Sequence, residues 1–189
     1  MPRIVDSRRA YDGYVKVTVL TLADEDGEPY AREVVSIGQS ACVLPYDPER
    51  KVALMVRLPR APLLMQGIAA NLVEAPAGMI GDGEGPEATI RREAMEEAGV
   101  KLNALDPVGV CWPSPGVLAE RSHLFLASYS AEDRVGPGGG LAQEHEGIVV
   151  EELQLTELWR AAQSGGLQDL KTFTLVLALN ARKPELFAQ

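Results

Sequence analysis

The chain has 189 residues, a length that suits one domain, or one domain with a small appendage. With 18 basic and 27 acidic residues it carries a formal charge of −9, so it would repel the phosphates of a nucleic acid or of an anionic membrane. Hydrophobic residues make up 46%, enough for a core, which excludes wholesale disorder.

No run approaches the roughly 20 apolar residues that a membrane helix needs. The N-terminal stretch MPRIVDSRRAYDGYVK is polar and charged and lacks the apolar centre of a signal peptide. Cys42 and Cys111 stand apart in apolar segments, without a CxxC spacing, which suits a reducing compartment. A cytoplasmic protein with no membrane partner and no nucleic-acid partner is therefore expected.

In chain order, Tyr14–Leu22 reads as a strand, because it is rich in β-branched residues and partly alternating. Asp24–Glu28 is a turn, and Ala31–Ser36 is the returning strand. Ala41–Tyr46 and Val52–Arg57 flank the charged turn Asp47–Lys51 and suggest a second hairpin. Leu72–Glu74 is a short strand ahead of a glycine-rich loop, Gly78–Gly85. Glu87–Ala98 is built of good helix formers, with Pro86 suited to the first turn and Gly99 to the stop. Strands are expected at Val108–Trp112, Ser122–Tyr129 and Ile148–Gln154. Helices follow at Thr156–Ser164, capped by Thr156, and at Lys171–Arg182. Between them Val135–Gly140, VGPGGG, reads as a loop. The order describes a mixed α/β or α+β domain.

The predicted helix at 87–98 carries the chemistry. Glu93, Glu96 and Glu97 are spaced i, i+3, i+4 and share one helix face, where like charges repel. A divalent cation offsets that repulsion best, and carboxylate oxygens are the hard ligands that Mg²⁺ and Mn²⁺ prefer. The glycine-rich loop can fold back to bring Glu84 and a backbone carbonyl towards the same ions, and Arg92 can neutralise or orient a carboxylate. An isolated run of this kind is usually a solvated helix face. Here Gly78, Glu84, Arg92, Glu93, Glu96, Glu97 and Gly99 all fall at fixed positions, with apolar Ala94 and Val100 between and after them. At about 7% usage per residue type, chance would produce that pattern on the order of 10⁻⁶ of the time.

The pattern GX5EX7REUXEEXGU, with U apolar, is the Nudix box, so the chain resembles the Nudix hydrolases over residues 78–100. The resemblance implies an α/β/α sandwich around a mixed β-sheet, and metal-dependent hydrolysis of a pyrophosphate that joins a nucleoside to another moiety. It implies Glu93, Glu97 and Glu96 as metal ligands, together with the carbonyl of Ala77. Gly78, Glu84, Arg92 and Gly99 become structural members of the box.

Flanking segments resemble one branch of the family, the ADP-ribose and GDP-mannose pyrophosphatases. They are LVEAPAG at Leu72–Gly78, WPSPG at Trp112–Gly116 and ERSHLF at Glu120–Phe125. Pro115 lies where the ADP-ribose group carries its marker proline. GGGLAQEHEG at Gly138–Gly147 resembles the branch's catalytic loop, with Gly147 in place of the usual Asp. That likeness implies Glu144 as the general base and Glu146 as a further ligand, an assignment that could be reversed. His145, between them, reads as a solvent-exposed residue.

Arg57 and Arg60 resemble the arginines of the branch's RQFR-like segment and become candidates for binding substrate phosphate or sugar. The intervening glutamine and aromatic are replaced by Leu58 and Pro59. Glu120 is a second substrate-side candidate, and Trp112 is either a core residue or a base platform. The branch also implies a homodimer in which an N-terminal strand region, residues 1–38, exchanges across subunits next to a Nudix domain at 39–189. Tyr11, Tyr14 or Tyr30 could then supply the missing aromatic.

The expected substrate is a small-molecule nucleoside diphosphate sugar, ADP-ribose first and GDP-mannose second, with Mg²⁺ or Mn²⁺ as cofactor. A nucleotide sensor that does not hydrolyse, or an enzyme for capped RNA ends or coenzyme A derivatives, are the alternatives. The complete set of box glutamates opposes the first, and the acidic charge and SPG element oppose the second.

Overall fold

A computed structural model of the chain describes residues 1–68, 71–141 and 147–188. Its contacts divide the chain into two units. One comprises Met1–Gln39 with Cys111–Ser122, the other Ser40–Val110 with His123–Gln189.

The first unit is an antiparallel sheet of three strands, β1 (Arg3–Asp12), β2 (Lys16–Ala23) and β3 (Tyr30–Ser36), in that order. β2 and β3 form the expected hairpin, in register from Lys16 opposite Ser36 to Leu22 opposite Tyr30. β1 has no counterpart in the sequence reading. Its segment RIVDSRRAYD lacks regular alternation, and its pairing with β2 is interrupted twice by irregularities. All ten β1 residues are exposed, so the backbone ladder, rather than a buried side-chain face, holds this strand. The segment after Cys111 joins the unit through Val35, whose N–H donates to the Val117 carbonyl at 2.9 Å and whose carbonyl accepts from the Ala119 N–H at 2.8 Å.

The second unit holds β4 (Gln39–Asp47), β5 (Val52–Pro59), β6 (Asn71–Glu74), β7 (Ala77–Met79), β8 (Asp106–Cys111), β9 (Arg121–Ser128) and β10 (Val149–Gln154), except for the strand ends Gln39, Cys111, Arg121 and Ser122, which fall in the first. The strand order is β10-β5-β4-β9-β8, with β6 paired to β5 and β7 to β4. Among the described residues, the α-helices α1 (Ala61–Met65), α2 (Pro86–Ala98), α3 (Leu155–Ser164) and α4 (Leu170–Arg182) accompany the sheet. β4 and β5 are buried along nearly their whole length, as strands covered on both faces are. Alternation divides them between two cores. Cys42, Leu44, Tyr46, Ala53, Met55, Leu124 and Leu126 meet α3 and α4 through Leu155, Leu158, Leu175, Val176 and Leu179. Ala41, Val43, Leu54, Phe125 and Ala127 meet α2 through Ile90, Ala94 and Ala98. The sheet is thus sandwiched between α2 and the α3–α4 pair, which is the expected α/β/α arrangement.

Two local expectations need correction. α3 begins at Leu155, and its N-cap position is Gln154, without a side-chain cap bond. Thr156 therefore lies inside the helix. Leu155 is fully buried and its N–H donates to the Lys51 carbonyl at 2.9 Å, which draws the first turn one residue earlier. α1 was not expected. Its five residues include none that is buried, so no amphipathic period marks it.

α4 is tied to the strand that enters the box. Asp169 caps it, accepting from the Thr172 N–H at 2.8 Å and from the Thr172 hydroxyl at 2.7 Å. The same hydroxyl oxygen accepts from the Ala75 N–H at 2.7 Å. Burial pushes the Asp169 carboxyl up, but the Lys171 charge and the bonds from Lys171 and Thr172 outweigh it and hold it below the usual aspartate range. Thr172 is fully buried. Thr172→Val keeps the shape but orphans the Ala75 N–H, and it should cost about 1–3 kcal/mol of stability. A urea unfolding midpoint indistinguishable from the parent's would refute this role.

Candidate active site

Every described part of the box lies in the second unit. α2 starts at Pro86, with Gly85 in the N-cap position, and ends at Gly99 in the left-handed conformation with φ 64°. The three box glutamates share its face, as their spacing requires. Arg92 stands among them. Its guanidinium lies 2.9 Å from Glu93, 3.1 Å from Glu96 and 3.2 Å from Glu84. The hydrogen bonds to Glu84, then the charges of Glu93 and Glu84, hold Arg92 firmly protonated against its partial burial. Glu84 is in turn held below the usual glutamate range by Arg92 first and then by the Thr89 hydroxyl, which donates at 2.8 Å. Arg92 thus offsets part of the repulsion among these carboxylates, as its place in the sequence suggested.

Glu97 faces inward and is 5% exposed. Its Oε2 accepts from the Ala77 N–H at 3.0 Å, so β7 and the last turn of α2 are held together at a ligand candidate. β7 is itself fixed by pairing with β4, Cys42 opposite Ala77 and Ala41 opposite Gly78. A Cβ added to Gly78 would fall on the carboxylate of Glu93, so the missing side chain is the space in which that carboxylate lies. Ala77, Gly78, Glu93 and Glu97 are therefore gathered at one place. Among the described residues no three His, Cys, Asp or Glu side chains already form a closed metal-binding group. The carboxylates of this donor set suit Mg²⁺ or Mn²⁺ in their chemistry.

Arg60 follows β5, and its Nε and Nη2 donate to the two oxygens of Glu74 at 2.7 and 2.8 Å. Glu74 is 2% exposed and closes the expected strand Leu72–Glu74. A charged residue at the end of an apolar strand is itself a signal for a partner. Arg60 is held protonated by those bonds, with the charges of Glu74, Glu97 and Asp169 adding to them. Its cation therefore lies in the field of the box. Arg57 pairs with Glu151 at 2.8 Å across the β5–β10 ladder. Both arginines are engaged with carboxylates.

Pro115 and Glu120 lie in the first unit, where the Ser122 hydroxyl donates to Glu120 at 3.1 Å. Trp112, in that unit too, is 52% exposed, which removes the core reading. Glu144, His145 and Glu146 lie outside the described residues. A cleft is lined by Asp47, Arg50, Asn103, Tyr129 and Asp133, none of them a residue of the box. Arg50 is taken up by Asp47 and Glu152, Tyr129 by Glu152, and Asn103 by Asp133.

The chain matches the NUDIX domain over residues 37–172. It is 38% identical to a GDP-mannose pyrophosphatase of Cronobacter sakazakii over 164 residues, covering 85% of this chain and 84% of that protein. It is 34% identical to one of Citrobacter koseri over 163 residues, covering 86% and 84%. A GDP-mannose pyrophosphatase of Escherichia coli is 32% identical over 178 residues, 92% of each chain. A complete box on a sandwiched sheet, a domain match over most of the chain and relatives of nearly the same extent agree: the chain belongs to the Nudix family of pyrophosphohydrolases.

Proposed function

We propose that this enzyme hydrolyses the pyrophosphate of a nucleoside diphosphate sugar, with GDP-mannose as the favoured substrate. The observation that carries the substrate is the likeness to three GDP-mannose pyrophosphatases over most of the chain. ADP-ribose, the first expectation from a sequence whose flanking motifs suit both substrates, becomes the second reading. Hydrolysis of GDP-mannose would give GMP and mannose 1-phosphate, water adding across the P–O–P bridge.

Mg²⁺, or Mn²⁺ in its place, supplies charge neutralisation of the diphosphate and a bound water of lowered pKa. Glu93, Glu96, Glu97 and the Ala77 carbonyl are the residues that would hold it. Arg92 keeps Glu84, Glu93 and Glu96 in a fixed relation. Glu144 takes the proton of the attacking water, and Glu146 completes the ligand set. Arg60 and Arg57 exchange part of their carboxylate pairing for the substrate.

A homodimer is the proposed assembly, with residues 1–38 as its exchanged region. The exposed β1, with Ile4, Val5 and Tyr11 at 62%, 43% and 57% exposure, supports a surface that a second copy covers. No helix among the described residues is long and apolar enough to cross a membrane, and both cysteines are free. The free cysteines suit a reducing compartment and support the reading of a cytoplasmic enzyme.

The deciding experiment is a panel of GDP-mannose, ADP-ribose, ADP-glucose and diadenosine polyphosphates with Mg²⁺ and Mn²⁺, each repeated in EDTA. GDP-mannose should give the highest kcat/KM. No turnover of any of them would favour a nucleotide sensor. Glu144→Gln should lower turnover by about 10²–10⁴-fold while leaving Mg²⁺ affinity near that of the parent. Loss of metal binding instead would move Glu144 among the ligands.

A further inference from the structure

The last turn of α2 carries Glu96 and Glu97, and a helix end leaves its final carbonyls without partners in the helix. Two negative side chains at the negative end of the helix dipole make that end less favourable still. Gly99 closes the turn, its N–H donating to Met95 at 3.1 Å, and the Val100 N–H reaches Ala94 at 3.2 Å. An ordinary left-handed cap needs no more than this.

The chain nevertheless returns and lays residues 135–140 across the same end. The Gly139 N–H donates to the Glu97 carbonyl at 2.8 Å, and the Gly140 N–H to the Glu96 carbonyl at 3.0 Å. The N–H groups of Val135 and Gly136 both donate to the Gly99 carbonyl, at 2.9 and 3.2 Å. Gly138, Gly139 and Gly140 have φ of 69°, 106° and 74°, a run that L side chains rarely adopt. A Cβ on Gly138 would overlap the Glu97 carbonyl and the Ala98 backbone, and one on Gly99 would overlap Gly136. Two backbones cross here in contact, and two of the strap's donors land on the carbonyls of the two adjacent ligand candidates.

We propose that this glycine strap is a positioning element for the metal site, with Gly138 at the point of closest approach, and that it sets the affinity for the divalent ion by fixing the backbone of Glu96 and Glu97. The inference rests on the reading of Glu97 as a ligand. The strap acts through the glutamates, and none of its residues need touch metal or substrate.

The test is Mn²⁺ binding to the full chain, followed by electron paramagnetic resonance without substrate. Gly138→Ala is compared with Gly165→Ala, which has a similar φ of 77° and open space around an added Cβ. Gly138→Ala should weaken Mn²⁺ binding by about tenfold, as loss of support behind a ligand does. Gly165→Ala should bind as the parent does. Unchanged affinity in Gly138→Ala, or equal loss in both variants, overturns the proposal.

If Gly138→Ala does not fold, amide exchange in the parent chain decides. The Gly139 and Gly140 amides should be protected, and Mg²⁺ should slow them further. Coil-like exchange, or no response to Mg²⁺, overturns the strap. Failure of the ligand reading shows differently: Glu97→Gln would then bind Mn²⁺ as tightly as the parent, and the proposal would fall with that reading.

Discussion

Replacing Glu97 with glutamine is expected to lower kcat by about a hundred- to a thousandfold, the loss that follows removal of one preorganised electrostatic contact at a transition state. The melting temperature should stay within about 3 °C of the parent's, corresponding to about 1 kcal/mol in a chain of this size. The separation of the two effects follows from the contacts. Glu97 is 5% exposed and accepts from the Ala77 N–H at 3.0 Å. The glutamine amide oxygen can take over that bond at nearly the same volume, so the tie between β7 and α2 survives. What is lost is the negative charge. A Glu97 that served only as a structural acceptor would tolerate the change, and activity within about threefold of the parent would end its assignment as a ligand.

The second large effect is expected from Gly78→Ala. Gly78 is not among the residues with positive φ, so alanine suits its backbone. The added Cβ, however, would occupy the position of the Glu93 carboxylate. The end of a flexible side chain gives way more easily than a strand, so Glu93 should swing aside while β7 stays paired with β4. The expected result is a fall in kcat and in Mg²⁺ affinity of about 10–100-fold. The accompanying change in unfolding free energy should be below about 1 kcal/mol. Metal affinity equal to the parent's would show that Glu93 binds no ion. Substantial unfolding without a specific metal defect would make Gly78 a purely structural glycine. Gly99 is the contrasting case, because its φ of 64° and its contact with the Gly136 backbone leave no flexible group to yield.

Much of the second unit was legible in the amino-acid order. The hairpin of β4 and β5 announced itself through two apolar runs around DPERK, and α2 through Pro86 and Gly99 at its two ends. Patterns of this kind are local, and local residues decide them. β1 was invisible for the opposite reason. None of its residues enters a core, so no hydrophobic period could mark it, and pairing with a neighbouring strand gives it a conformation. The start of α3 was misplaced because Leu155 is drawn into the core and its N–H is taken by Lys51, far away in the chain.

The same division runs through the site. The kind of residue and the spacing along one helix placed Glu93, Glu96 and Glu97 on a common face and indicated their chemistry, because helical geometry alone relates positions three and four apart. Folding decided what surrounds them. Arg92 bridges three carboxylates, Ala77 holds Glu97, Glu74 claims Arg60, and a strap of glycines from some 40 residues downstream closes the helix end. Those partners are distant in sequence or depend on which way a side chain turns. Neither is encoded in a local pattern, and both are settled only when the sheet brings separate segments into contact.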